Sequence, residues 1–172
     1  VLDDTHGVVY AMKNACTDMS EAQYTNDKDK RNDGHKWNEE TGICENNSTH
    51  YQIPEQVDGV YQIKNAGNLY WFADKVNGDK TNLDAVLVNN IVINDDDLSK
   101  YDGTSENNYL AWTPIGTSSN KYSGIFDGQN HTVSGLYFNN TSKIRIGLFG
   151  YSTGMIQNVS VVNSYFKGKS HV

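Results

Sequence analysis

The run Gly124-Ile125-Phe126-Asp127-Gly128, continuing through Thr132-Val133-Ser134-Gly135-Leu136-Tyr137-Phe138, lies without a gap on Gly147-Leu148-Phe149-Gly150 and Met155-Ile156-Gln157-Asn158-Val159-Ser160-Val161. The pairs Gly124/Gly147, Ile125/Leu148, Phe126/Phe149, Val133/Ile156, Leu136/Val159 and Phe138/Val161 are all separated by one constant interval. Self-similarity at a period of about 23 residues is the mark of a solenoid, in which each unit buries its apolar face on the next. The β-branched, aromatic and glycine content of the unit predicts strands rather than helix pairs. Charge agrees. From Ser123 onward Asp127 is the only acid, against Lys143, Arg145, Lys167 and Lys169, as expected of faces that stack on one another.

Parity refines the reading. Val133 and Leu136 are three apart, so one flat strand would send them to opposite faces. A bend between them returns both to the inside, and the residue available for it is Gly135 in one copy and Asn158 in the other. Both types tolerate left-handed backbone, which predicts a positive φ at these positions.

Working back toward the N-terminus, Val60-Tyr61-Gln62-Ile63 reads as a short strand. Asn65 can cap a helix of about residues 65–77, in which Leu69, Phe72, Ala73 and Val76 share a face and Asn77-Gly78 ends it. Ala85 to Ile93 is β-rich with a break at Asn89-Asn90, and Trp112 to Gly116 reads as a further strand. Residues 1–54 differ. Val8, Met12, Ala15, Cys16 and Met19 recur at helical spacing over about 8–23, while Thr25 to Glu40 is charged and reads as a solvated loop anchored by Trp37. The chain therefore divides into an N-terminal helix-plus-loop segment, 1–54, and a repeat domain, 55–172.

The series VYQIKNAGNLYWFADKVN (60–77), AVLVNNIVIN (85–94), WTPIG (112–116), YSGIFDGQNHTVSGLYF (122–138) and IGLFGYSTGMIQNVSVVNSYFKG (146–168) resembles, in that order, the opening of the GLUG-motif and filamentous-haemagglutinin-like surface proteins of bacteria. The resemblance implies a mainly β fold, a right-handed parallel β-helix whose first coil is capped by the Asn65–Val76 helix. It also implies export as part of a large, adhesin-like cell-surface protein. Such modules carry no assigned catalytic residues, so none is transferred.

Composition narrows the partners. The 172 residues carry a net charge of −7 with only two arginines, which disfavours nucleic acid and anionic membrane surfaces. No stretch approaches the roughly 20 apolar residues of a membrane span. Other protein chains or cell-surface glycans are the partners expected, and no cofactor is. Cys16 and Cys44, the two cysteines, lack metal-site spacing and are expected to form one disulfide.

Several groups invite a chemical role. Asp95, Asp96 and Asp97, with Asp102 nearby, could offer oxygen ligands to Ca²⁺, although a solvated acidic loop after an apolar strand is the preferred reading. Asp29, Asp33, Gly34 and Glu40 partly fit a calcium loop, but Arg31 stands where an oxygen ligand belongs. The five histidines are scattered. Trp71, Tyr101 and Trp112 are candidate contacts for a sugar or a protein. A carbohydrate-active alternative, whether polysaccharide-binding, lyase or hydrolase, would need two carboxyl groups about 5–10 Å apart, and only Asp127 with an acid of the 95–106 loop qualifies. Finally, the last copy of the repeat has no successor in this sequence. The solenoid end around Val159, Val161 and Tyr165 is therefore expected to be covered by further coils, by residues 1–50 or by head-to-tail association with another copy.

Overall fold

The computed structural model describes residues 53–104 and 109–169, together with the strands β1 (His35–Asn38) and β2 (Ile43–Asn46). β1 and β2 pair antiparallel with Trp37 opposite Cys44. A strand thus interrupts the segment read as a continuous loop from Thr25 to Glu40. The helix of residues 8–23, Cys16 with its expected bond to Cys44, and the calcium-loop acids Asp29, Asp33 and Glu40 lie outside the described residues.

The described remainder is mainly β, with one α-helix. β3 (Glu55–Val57) and β4 (Val60–Ile63) form a hairpin whose turn places Asp58 and Gly59 at positive φ. Helix α1 (Ala66–Gly78) follows. Its N-cap is Asn65, whose side chain accepts from Asn68 N at 3.0 Å, while the buried Asn68 side chain accepts from Lys64 N at 3.0 Å. One orphan donor of the first turn, the Asn68 N–H, and the N–H of the residue before the cap are satisfied in this way. The helix buries the face the periodicity predicts: Leu69, Phe72 and Val76 are all completely buried, and Ala73 nearly so.

Beyond the helix the chain runs through β5 (Asp84–Leu87), β6 (Ile91–Val92), β7 (Ile125–Asp127), β8 (Thr132–Ser134), β9 (Tyr137–Asn139), β10 (Met155–Gln157), β11 (Ser160–Val162) and β12 (Tyr165–Lys167). They assemble into three sheets, ordered β10-β7-β5-β4-β3, β11-β8-β6 and β12-β9. Apart from the β3–β4 hairpin every pairing in these sheets is parallel. The break at Asn89-Asn90 separates β5 from β6 as read from the sequence. Trp112 to Gly116 is not a strand: isolated parallel bridges from Ala111 to Tyr137 and from Ile115 to Phe149 hold that segment instead.

The register corrects the spacing of the repeat. Phe126 pairs with Ile156, Val133 with Val161 and Phe138 with Phe166. The interval between these paired strands is therefore longer than the one read from the sequence. The shorter spacing set Val133 against Ile156, which belongs to a different sheet. Phe126 and Phe149, matched at that spacing, do meet in the core with ring centroids 5.2 Å apart, but as packing neighbours and not as strand partners.

The corners follow the same register. Asn130 (φ 64) and Asn158 (φ 52) turn the chain from the first sheet to the second, and Gly135 (φ 71) and Asn163 (φ 47) turn it from the second to the third. Gly135 and Asn158 both have the positive φ expected, yet they occupy different corners. At Gly135 a side chain has no room, because a Cβ would meet the backbone of Asn94.

One core runs through the stack. It joins Leu69, Phe72 and Val76 of the helix to Leu87, Ile91, Ile115, Phe126, Val133 and Leu136. Phe72 packs against Tyr122 and Phe126 with ring centroids 5.8 Å away in each case. The buried Tyr122 phenol donates to Leu83 O at 3.0 Å, and burial pushes its pKa well above the usual tyrosine range.

Candidate functional site

The two ends of the stack are built differently, and the contrast locates the candidate site. At the helix end, side chains of α1 take up the polar edge of the segment beneath. Tyr70 Oη donates to Ala111 O at 3.0 Å, Asn77 Nδ2 donates to Pro114 O at 3.1 Å, and Asn77 Oδ1 accepts from Gly116 N at 2.7 Å. Asn120 Nδ2 in turn donates to the carbonyls of Asn77 and Gly78 at 2.7 and 2.8 Å. A helix cannot offer ladder hydrogen bonds to a neighbouring strand, so amide and hydroxyl side chains supply them. This end is closed.

At the far end, among the described residues, no strand pairs with the outer side of the last strands. β10, β11 and β12 each end their sheet, paired on one side only. Phe126 and Val133 are wholly buried, but their register partners Ile156 and Val161 are 37% and 40% exposed, and Met155 and Val162 are exposed beside them. At these two positions equivalent residues go from buried to open, whereas Met155 and its partner Ile125, 55% and 47% exposed, both face outward. Such an edge carries unpaired N–H and C=O groups beside apolar side chains, a template for strand addition.

Of the residues singled out at this end, Val161 lies on the open face, Val159 is half-buried against the core, and Tyr165 belongs to an aromatic group on the flank. Ile156, read with Val159 and Val161 in the last coil, lies on the open face too, while Met155 and Val162 went unrecognised. In the register Met155 lies on Ile125 and Val162 on Ser134.

The flanking group is a cluster of four tyrosines. Tyr137 and Tyr165 stack with centroids 5.7 Å apart and ring planes 20° apart, and Tyr101 stands edge-on to Tyr165 at 4.9 Å. Tyr109 completes it, 5.3 Å from Tyr137. Gly103, at φ 78, admits the Tyr165 hydroxyl where a Cβ would otherwise sit. Desolvation, with the negative charge of Asp96 second, pushes the Tyr109 phenol up.

The acidic loop lies here too. Leu98, itself buried, donates its N–H to Asn163 O at 3.2 Å and pins the loop against the third layer. Asp97 caps the short 3₁₀ turn Leu98–Lys100, accepting from Ser99 N at 3.2 Å and pairing with Lys100 Nζ at 2.9 Å. The Ser99 hydroxyl bond, then Lys100, holds its carboxyl below the usual range. Among the described residues no group of three or more His, Cys, Asp or Glu is placed to hold a metal ion, so Asp95, Asp96 and Asp97 do not converge on one.

Asp127 is engaged elsewhere. It accepts from Gln129 N at 2.9 Å, Gln157 Nε2 at 2.9 Å and Asn158 Nδ2 at 3.0 Å, tying successive layers together. The Gln129 N–H, then the two side-chain amides, lowers its pKa. It stands on the first sheet, whereas the acidic loop lies against the third. Trp112, offered as a surface contact, is corrected: it is 2% exposed, and its indole donates to Gly147 O at 3.1 Å as part of the core. Trp71 is half-buried, 5.1 Å from Tyr61 and beneath Lys75.

No helix among the described residues is long and apolar enough to cross a membrane. No protein-family model matches the chain, and no solved structure matches it significantly. Over 56 residues the chain is 34% identical to a protein of Evansella cellulosilytica named as a Gly-rich membrane protein. That stretch is 31% of this chain and 6% of the other, so the similarity touches a small part of a far longer protein.

Proposed function

We propose that this chain is a non-catalytic structural and adhesive module of a bacterial surface protein of the GLUG-motif or filamentous-haemagglutinin-like kind. In this reading it is the capped end of a right-handed parallel β-helix. One observation carries the proposal: Val133 is wholly buried while its register partner Val161 is 40% exposed, at the edge opposite the helix cap. A stack closed at one end and unfinished at the other is a segment to be continued, by further coils or by a second copy meeting it head to tail. Parallel pairing in all three sheets, and left-handed corners at Asn130 and Asn158 and at Gly135 and Asn163, support the β-helix. Similarity to part of a protein named for the membrane fits a place at the cell envelope.

Two measurements test it. Antibodies against residues 55–172 should label intact cells of the producing bacterium, and labelling only after permeabilisation would overturn the surface assignment. In sedimentation velocity the chain should associate with rising concentration, and Val161→Lys should abolish this without changing the circular dichroism. Association unaffected by that charge would remove the open edge as the contact.

A further inference from the structure

A cleft of about 440 Å³ opens between the segment from Thr113 to Ser118 and the loop from Asn140 to Ile146. Its volume falls within the roughly 300–1,000 Å³ of small-molecule sites. Arg145 and Lys143 line it, with Tyr151 and Pro114 as apolar walls and Asn140 and Thr117 as polar ones. The Arg145 guanidinium lies over the Tyr151 ring, 4.7 Å from its centroid, and Nη1 donates to Tyr151 Oη at 2.8 Å. Arg145 holds a left-handed backbone, φ 56, where glycine would ordinarily sit. The neighbouring strand end brings Lys167 and Lys169 close: Asn140 N donates to Lys167 O at 2.9 Å, and Lys169 N donates to Lys143 O at 2.7 Å.

The charge here is unbalanced. The chain as a whole carries −7, yet the ion pairs among the described residues use Lys64, Lys75, Lys80 and Lys100, and none uses these four cations. The one acid after Ser123, Asp127, belongs to a different sheet. An aromatic ring with a guanidinium locked upon it, flanked by amide and hydroxyl groups, suits a ligand with an apolar ring face, several hydroxyls and one negative charge. We infer that this cleft binds a carboxylate-bearing saccharide, its carboxylate held by Arg145 and Lys143 and its ring against Tyr151. The inference rests on the reading of the chain as a non-catalytic adhesive module, and gives that module a ligand.

The test uses the full chain and three probes: glucuronate, glucose, which lacks the carboxylate, and acetate, which lacks the sugar. In ¹H–¹⁵N titrations glucuronate should shift the amides of Asn140, Lys143, Arg145 and Tyr151 saturably, with an affinity at least tenfold above that of either other probe and falling with added salt. Arg145→Gly, which suits the left-handed backbone and so keeps the fold, should lose that shift, as should Lys143→Gln in part. Equal binding of acetate, equal binding of glucose, or shifts confined to other residues would each overturn the assignment. Cell-surface labelling is read independently, so a failure of this titration and a failure of the surface reading are distinguishable.

Discussion

Phe72→Ala tests whether the helix is a lid. The ring is completely buried, and it touches Tyr122 and Phe126 with centroids 5.8 Å away in each case. An aromatic side chain buries about 150–250 Å², which at about 25 cal/mol per Å² corresponds to about 4–6 kcal/mol of transfer free energy. Alanine recovers part of this, and core Phe→Ala changes cost about 3–5 kcal/mol. Tyr122 and Phe126 are themselves fixed, Tyr122 by its bond to Leu83 O, so the void cannot collapse freely. The expected loss is therefore about 4 kcal/mol. With a slope of about 2 kcal/mol per molar urea, the midpoint should drop by about 2 M. The fluorescence of Trp112, buried in the same core, reports the transition. Lys75→Ala, on the outer face where the ammonium meets Asp74 and the Trp71 ring, is the control and should cost under about 1 kcal/mol. A Phe72→Ala change as small as the control's would place the helix on a flank and remove the lid.

Asn77→Ala should cost about 2 kcal/mol in the same assay, since it strands Pro114 O and Gly116 N together; Asn77→Asp, which keeps the acceptor for Gly116, should cost less. Gly135→Ala should cost about 3 kcal/mol, by left-handed strain and collision with Asn94, while Asn163→Gly at the repeated corner should stay within about 1 kcal/mol of the parent; similar losses at both would refute the corner equivalence. Asp127 has a folded pKa below its ordinary 3.8, so its contribution is present above that value and lost as pH falls through the lower folded one. Asp127→Asn should accordingly flatten the acid limb of stability below about pH 4, and an unchanged limb would show that the layers do not depend on this carboxylate.

What local chemistry dictates was legible. Asn65 as a cap, the buried stripe of Leu69, Phe72 and Val76, and the break at Asn89-Asn90 all follow from propensities acting within a few residues, and all are present. Trp112 was misplaced because an indole is as suited to a sugar as to a core. Only its position between Tyr70 and the distant Gly147 makes it core. The open edge was legible as a place but not as a set of residues, because exposure there depends on which strand lies over which. The cleft at Arg145 had no local signal at all, since its walls come from two layers.

The misread spacing has a physical cause that bears on how such chains are read. Phe126 and Phe149 match at the shorter spacing because both enter the same core and touch there, whereas of the matched pair Ile125/Leu148 only Leu148 is buried. Sharing a core is not sharing a sheet. Hydrogen-bonded stacking constrains corners as well as side chains, because a left-handed residue in one layer must sit over one in the next for the strands to stay in register. Those corners, Asn130 over Asn158 and Gly135 over Asn163, recur at the same interval that carries Val133 to Val161. A chain rich in asparagine hides this, since most asparagines are not corners. The discriminating pattern is an Asn or Gly that recurs at the same interval as an apolar residue three positions beyond it in one layer, as Gly135 and Phe138 recur in Asn163 and Phe166. Set at that interval, Ile156 falls near Phe126 and Val161 falls on Val133, so the face left open is written in the sequence once the corners, and not the core, set the period.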